Sequence, residues 1–147
     1  MAKVTLKANS VLKEGFSVET KARNFMVKLD GPKSLGGQDS GMTPPELLLC
    51  ALGSCYCMTV RGLAKAHGIE FQEFRLELEG DQNPEGLFIK KEGLRPGLEE
   101  IRITTYIKSN APKEKIELFL NSVKNTCPVN DTLANGTSII ANNVVIA

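Results

Sequence analysis

The stretch 44-PPELLLCALGSCYCMTVRGLAKAHG-68 decides how this chain folds. Thr43, just ahead of it, is an N-cap residue, and prolines suit the first helical positions, where a missing N–H costs nothing. Glu46 stands at the third helical position and completes a T-x-x-E capping box. The helix so begun runs to His67, with Gly68 as its C′ residue. Until Arg61 it is apolar on nearly every side, whereas a surface helix carries a single apolar stripe. It must therefore be covered twice, by sheet on one side and by something equally apolar on the other. A chain of 147 residues has few second layers to offer, so the expected cover is a second subunit and an obligate dimer.

Working outward, the flanking segments alternate apolar and polar residues as half-exposed strands do. VTLKANSVL and FSVETKA read as two strands around a turn at Lys13-Glu14-Gly15, and NFMVKLDG as a third. SLGGQDSGMTPP, rich in Gly, Ser, Asp and Pro, is a loop leading into the long helix. IEFQEFRLELEG and LEEIRITTYIKS alternate again, on either side of the turn-rich DQNPEGLFIKKEGLRPG. KEKIELFLNSVKNT carries Ile116, Phe119, Leu120 and Val123 at the spacing of one buried helical stripe. CPVNDTLANG is a turn and a short helix ending near Gly136, and SIIANNVVIA is a closing strand. The order is that of an α+β fold with antiparallel sheet and segregated helices.

Size and charge narrow the possibilities. One domain spanning residues 1–147 is expected at this length. Eighteen Lys and Arg against seventeen Asp and Glu leave no basic footprint for nucleic acid. No run of like charge suits an anionic membrane surface. The amino end lacks the apolar core of a secretory signal. The apolar run Leu47–Val60 falls short of the ~20 residues of a bilayer span. A soluble, cytoplasmic protein is expected, and in that compartment cysteines more often mean metal or redox chemistry than a disulfide scaffold.

Three of the four cysteines, Cys50, Cys55 and Cys57, lie on the long helix. At about 100° per residue Cys50 and Cys57 share a face, while Cys55 points about 140–160° away from both. The three cannot converge on one ion. A metal site would have to gather Cys127, His67 and an acid from afar, and no metal is expected. Cys50 and Cys57 read as small buried hydrophobes. Cys127 stands at the start of the short helix, where partial positive charge and free N–H groups lower a thiol's pKa. An ordinary cap-region residue is its other reading. Glu46 is explained by the capping box, His67 by the C-terminal dipole, and Tyr56 by core or dimer packing.

The stretch TPPELLLCALGSCYCMTV resembles the signature of the OsmC/Ohr family, named for osmotic induction and organic hydroperoxide resistance. Pro44, Glu46, Leu47, Leu48, Ala51 and Cys55 match that signature in register. Cys127-Pro128-Val129 matches a second one, following the second helix, and the element order fits throughout. The DGPKSLGGQDSGMTPPELLLCALGSC segment is closest to an OsmC-like branch.

The resemblance implies antiparallel sheets wrapped around long central helices in an intertwined homodimer. It implies a thiol peroxidase without metal or other cofactor. Cys55 would attack an organic hydroperoxide and become a sulfenic acid, and Cys127 would resolve that to a disulfide. An external dithiol, lipoyl or similar, would reduce the disulfide. Glu46 would match the acid that orients the thiolate's cationic partner. The family draws that cation, an arginine, from the N-terminal hairpin or the loop before the long helix. Residues 31–43 contain no arginine, so Lys13 and Arg23 are the candidates for the cation and substrate contact. Two other functions compete. One is a small-molecule-binding or redox-sensing dimer without efficient peroxidase activity; the other is a structural dimer with inert thiols.

Overall fold

The computed structural model describes residues 1–140 and 143–146. Met1–Cys50 together with Asn83–Leu98 form one compact unit, and Ala51–Gln82 with Glu99–Ala147 form a second.

In the first unit, β1 (Asn9–Leu12), β2 (Val18–Ala22) and β3 (Phe25–Leu29) make an antiparallel meander in the order β1-β2-β3. Gly15, at φ 61°, takes the left-handed position in the first turn, as the Lys13-Glu14-Gly15 sequence demands. After β3 the chain folds over Asp30, which is 3% exposed. Its carboxylate accepts hydrogen bonds from the amides of Gly31 (2.8 Å), Gln38 (3.2 Å) and Ser40 (3.1 Å) and from the Ser40 hydroxyl (2.6 Å). The loop closes so tightly that a Cβ on Gly37 would sit 1.9 Å from the Gly31 carbonyl oxygen. The sequence TPPEL can thus start a helix from a fixed point.

These bonds hold the Asp30 carboxyl below its ordinary pKa, the Ser40 hydroxyl contributing most and burial opposing. A depressed folded-state pKa means stability that is present above the unfolded value, about 3.9, and lost as pH falls through the folded one. The amide resonances of Gly31, Gln38 and Ser40 should therefore titrate together, with a midpoint below that of a free aspartate. A midpoint at the free value would contradict the arrangement.

Helix α1 (Pro44–Leu63) starts with the expected reciprocal cap. The Thr43 amide donates to Glu46 Oε2 (2.6 Å) and the Glu46 amide to Thr43 Oγ1 (3.5 Å). It ends at Leu63, short of the His67 expected, and residues 64–68 continue as turns to a Schellman closure about Gly68, at φ 61°: Gly68 N–H donates to the Lys65 carbonyl and Ile69 N–H to that of Ala64. By length and composition α1 is sufficient to cross a membrane, with 20 residues and a mean hydropathy of 1.3. The length argument from Leu47–Val60 therefore does not hold for the whole helix. Along it Leu52, Tyr56 and Val60 form a buried stripe.

That stripe builds the core of the second unit. Leu52, Tyr56, Val60, Ala64 and Ile69 pack with Phe119, Val123 and Cys127. Phe119 and Val123 belong to α2 (Lys113–Thr126), on the stripe read from the sequence. A two-stranded sheet of β4 (Glu73–Gln82) and β5 (Leu98–Lys108) adds Phe74, Leu76, Leu78, Ile101 and Ile103. The side-chain pairs Tyr106–Glu77 and Arg102–Asp81 run in opposite sequence order, as antiparallel strands require. Gly53 lets α1 approach β4, since a Cβ there would lie 2.9 Å from Leu78 Cδ1.

The α+β class with antiparallel sheets is as expected, but two terminal strands are not. Residues 4–8 are not in a strand, and neither are 138–140 and 143–146; residues 141, 142 and 147 lie outside the described residues. A strand needs a neighbouring ladder to satisfy its backbone. Ile139, Ile140, Val145 and Ile146 remain 89–92% exposed. The alternation in the sequence marks these segments as able to pair, without supplying the partner.

Candidate active site

Cys127 is placed by its neighbour. The residue before a proline avoids the helical region, so Pro128 breaks the helix at Cys127, which is extended at φ −69° and ψ 115°. The same proline serves as the first residue of α3 (Pro128–Asn135), leaving Cys127 at once the last cap of α2 and the N-cap of α3. Its amide donates to the Val123 carbonyl (2.9 Å) and its carbonyl accepts from the Asp131 amide (3.0 Å). The Asn130 amide donates to the sulfur itself (3.5 Å). Cys127 is fully buried, directed into the core rather than solvent.

Cys55 lies on the core side of α1, partly buried beside the Leu52–Tyr56–Val60 stripe. Its Sγ is 2.9 Å from Cys127 Sγ, although the two are 72 residues apart and both are free thiols. Disulfide sulfurs lie about 2.05 Å apart, so roughly one ångström of motion joins them. Cys50 and Cys57 are on the opposite face and exposed. The helical spacing separates the cysteines as expected, but the reading of Cys50 and Cys57 as buried hydrophobes is corrected for the single chain. Cys50, Cys57 and, at 76% exposure, Met58 leave much of α1 without cover in the single chain.

The Cys127 thiol is also a correction. Its helix N-terminus was expected to lower its pKa; burial instead pushes it up, with the neighbouring Cys55 adding to the rise. The amides of Asn130 and Val129 do pull it down, as a helix start should, but desolvation of a fully buried sulfur is the larger effect. No cationic side chain contributes. Tyr56, 7% exposed, adds a polar group: its hydroxyl donates to Asn130 Oδ1 (3.3 Å). Burial, then charge on Cys127 and Cys55, pushes the phenol's pKa up, so it stays a donor. Sequence reasoning placed Tyr56 in a packing role and missed this bond, whose partner is 74 residues away. The one local signal was Asn130 in the first turn of a helix.

Glu46, Lys13 and Arg23 lie in the first unit and His67 in the second. Glu46 Oε2 accepts from the Thr43 amide (2.6 Å) and hydroxyl (3.0 Å). Lys13 pairs with Glu19 (3.2 Å), and the Arg23 guanidinium lies over the Phe25 ring, 4.9 Å from its centroid. Arg23 holds the hairpin turn at φ 55°, a conformation that favours glycine. His67 stacks against Phe119 at 5.4 Å. Among the described residues no three His, Cys, Asp or Glu side chains are grouped to hold a metal ion. A cavity of about 740 Å³ in the second unit is lined by Arg61, Lys65, Phe71 and Lys115, among others, but by neither Cys55 nor Cys127.

Two free sulfurs in contact, a partly buried one on a helix and a buried one at a helix cap, can cycle between dithiol and disulfide with little movement of the backbone. Residues 37–142 match the family model described as OsmC-like protein. A hydroperoxide reductase from Mycoplasma genitalium is 29% identical over 141 residues, covering 93% of this chain and 92% of that protein. The crystal structure of an OsmC-like protein from Mycoplasma pneumoniae superposes with a TM-score of 0.78 at 25% identity, covering 90% of this chain and 89% of that one. An organic hydroperoxide resistance protein OsmC from Legionella pneumophila gives a TM-score of 0.69 at 18% identity over 90% and 91% of the two chains, a likeness of fold.

Proposed function

The chain belongs to the OsmC-like protein family, and on that premise we propose that it is a cysteine-based peroxidase reducing organic hydroperoxides. The observation that carries the reading is the 2.9 Å approach of Cys55 and Cys127 sulfurs inside an apolar core. The relative named hydroperoxide reductase supports it. Cys55, the less buried of the two, is the attacking thiolate. Its sulfur bonds to one peroxide oxygen as the O–O bond breaks, and the alcohol leaves with a proton, giving a sulfenic acid. Cys127 then attacks that sulfur, the S–S bond forms and water departs. An external dithiol, lipoyl or similar, reduces the disulfide by exchange and returns both thiols.

A thiolate beside buried apolar residues needs a cation to hold its charge. We assign that role to the N-terminal hairpin, through Lys13 or Arg23, with Glu46 as the acid that orients it. A homodimer completes the account. The uncovered α1 face and the unpaired apolar segments near both ends of the chain are the surfaces it would bury.

The test is peroxide consumption with a dithiol reductant, cumene hydroperoxide against hydrogen peroxide. The organic substrate should react at least about tenfold faster, since burying even two methylenes contributes about 0.8 kcal/mol each. Equal rates would count against an apolar pocket. No turnover with either would favour the small-molecule-binding or redox-sensing reading.

A further inference from the structure

We propose that Tyr56 and Asn130 form a positioning pair that holds Cys127 within reach of Cys55 and so sets the rate of disulfide formation. The proposal rests on the peroxidase reading above and assigns a role within it. Tyr56 immediately follows Cys55 on α1. Its hydroxyl donates to Asn130 Oδ1 (3.3 Å), and the Asn130 side-chain amide donates to the Lys124 carbonyl at the end of α2 (3.1 Å). The Asn130 backbone amide donates to Cys127 Sγ (3.5 Å). One residue therefore ties the first turn of α3 to the end of α2 and to the turn of α1 that carries Cys55. The sulfur–sulfur contact of 2.9 Å is the dimension this tether fixes.

Resolution is the step that depends on it. The Cys127 thiolate attacks the sulfenic sulfur, the S–S bond forms, the S–O bond breaks, and the departing hydroxide takes a proton to leave as water. Reaction demands that the attacking sulfur stay aligned while Cys55 carries an added oxygen, and a displacement of about 1 Å can cost on the order of 10²-fold. The Asn130 amide also favours the thiolate form of Cys127 against the burial that opposes it. Around Cys127 the titratable groups are Cys55 and Tyr56 on α1, Lys124 on α2 and Asp131 on α3, with His67 stacked on Phe119. The strands contribute apolar Leu76, Leu78, Ile101 and Ile103 to this core. Lys124 meets the pair only through its carbonyl oxygen, among the contacts of Asn130.

Tyr56→Phe removes one oxygen and keeps the ring in the core. One equivalent of cumene hydroperoxide is added to the reduced protein, samples are quenched with a thiol-alkylating reagent at intervals, and sulfenic acid and disulfide are followed by mass spectrometry across pH. The variant should form the Cys55–Cys127 disulfide on the order of tenfold more slowly, with its pH midpoint moved upward. Asn130→Ala should do the same, and the double variant should be no slower than Asn130→Ala alone, because both act through one tether. Unchanged rate and midpoint in Tyr56→Phe, with sulfenic acid still forming, would overturn the proposal and leave the peroxidase reading standing. If the unaltered protein forms no sulfenic acid, that reading falls. The pair is then tested without peroxide, in a thiol–disulfide redox buffer, where Tyr56→Phe should close the disulfide more slowly and an unchanged rate overturns the tether.

Discussion

Replacing Cys55 by serine should reduce dithiol-dependent hydroperoxide turnover to the uncatalysed background, a loss on the order of 10³-fold or more. A hydroxyl at this position is not ionised at neutral pH and cannot accept the peroxide oxygen as sulfur does. The fold should survive, because Cys55 is only partly buried and serine is slightly smaller. Helical content and thermal midpoint close to those of the unaltered protein would show that the loss is chemical. The same substitution at Cys50 or Cys57, on the opposite and exposed face of α1, should leave turnover within about twofold. The contrast separates a nucleophile from a helix that tolerates no change. Retention of turnover in Cys55→Ser would assign the chemistry to another sulfur.

Cys127→Ser should behave differently. Cys55 still attacks, so one equivalent of peroxide is consumed, after which the enzyme stalls. The sulfenic acid has lost its neighbour and must wait for the external dithiol. A thiol held in contact acts at effective concentrations far above those of a millimolar reductant, so the steady-state rate should fall at least about 10²-fold. With excess hydroperoxide the stranded Cys55 should gain a second oxygen and become a sulfinic acid, read as an intact mass heavier by two oxygen atoms. Turnover at the unaltered rate would show that Cys127 takes no part in resolution and that the dithiol reacts with the sulfenic acid directly.

How much of this was legible in the sequence follows from how far apart the partners are. The α1 cap needs only Thr43 and Glu46, and its closure only Ala64 to Ile69, so both are local and both are found where the sequence puts them. The α2 stripe and the break at Cys127-Pro128 are equally local. The wheel that sets Cys55 opposite Cys50 and Cys57 is geometry of one helix, and it holds. The pairing of segments 4–8 and 138–147 depends on a partner ladder that alternation cannot name. The direction of the Cys127 shift depends on Leu52, Tyr56, Val60, Phe119 and Val123 closing over it, which turns the effect of a helix start into that of a buried thiol. The Tyr56–Asn130 bond joins two elements far apart in the chain, and tyrosine in an apolar run reads first as packing.

The fate of the two sulfurs on oxidation tests the account most directly. Reduced protein is exposed to one equivalent of an organic hydroperoxide, alkylated, digested and mapped. The account predicts a single new cross-link, Cys55 to Cys127, within one chain, with Cys50 and Cys57 still free and alkylated. A protein whose Cys55 and Cys127 both remain reduced while peroxide is consumed, or whose cross-link runs through Cys50 or Cys57 instead, would contradict it.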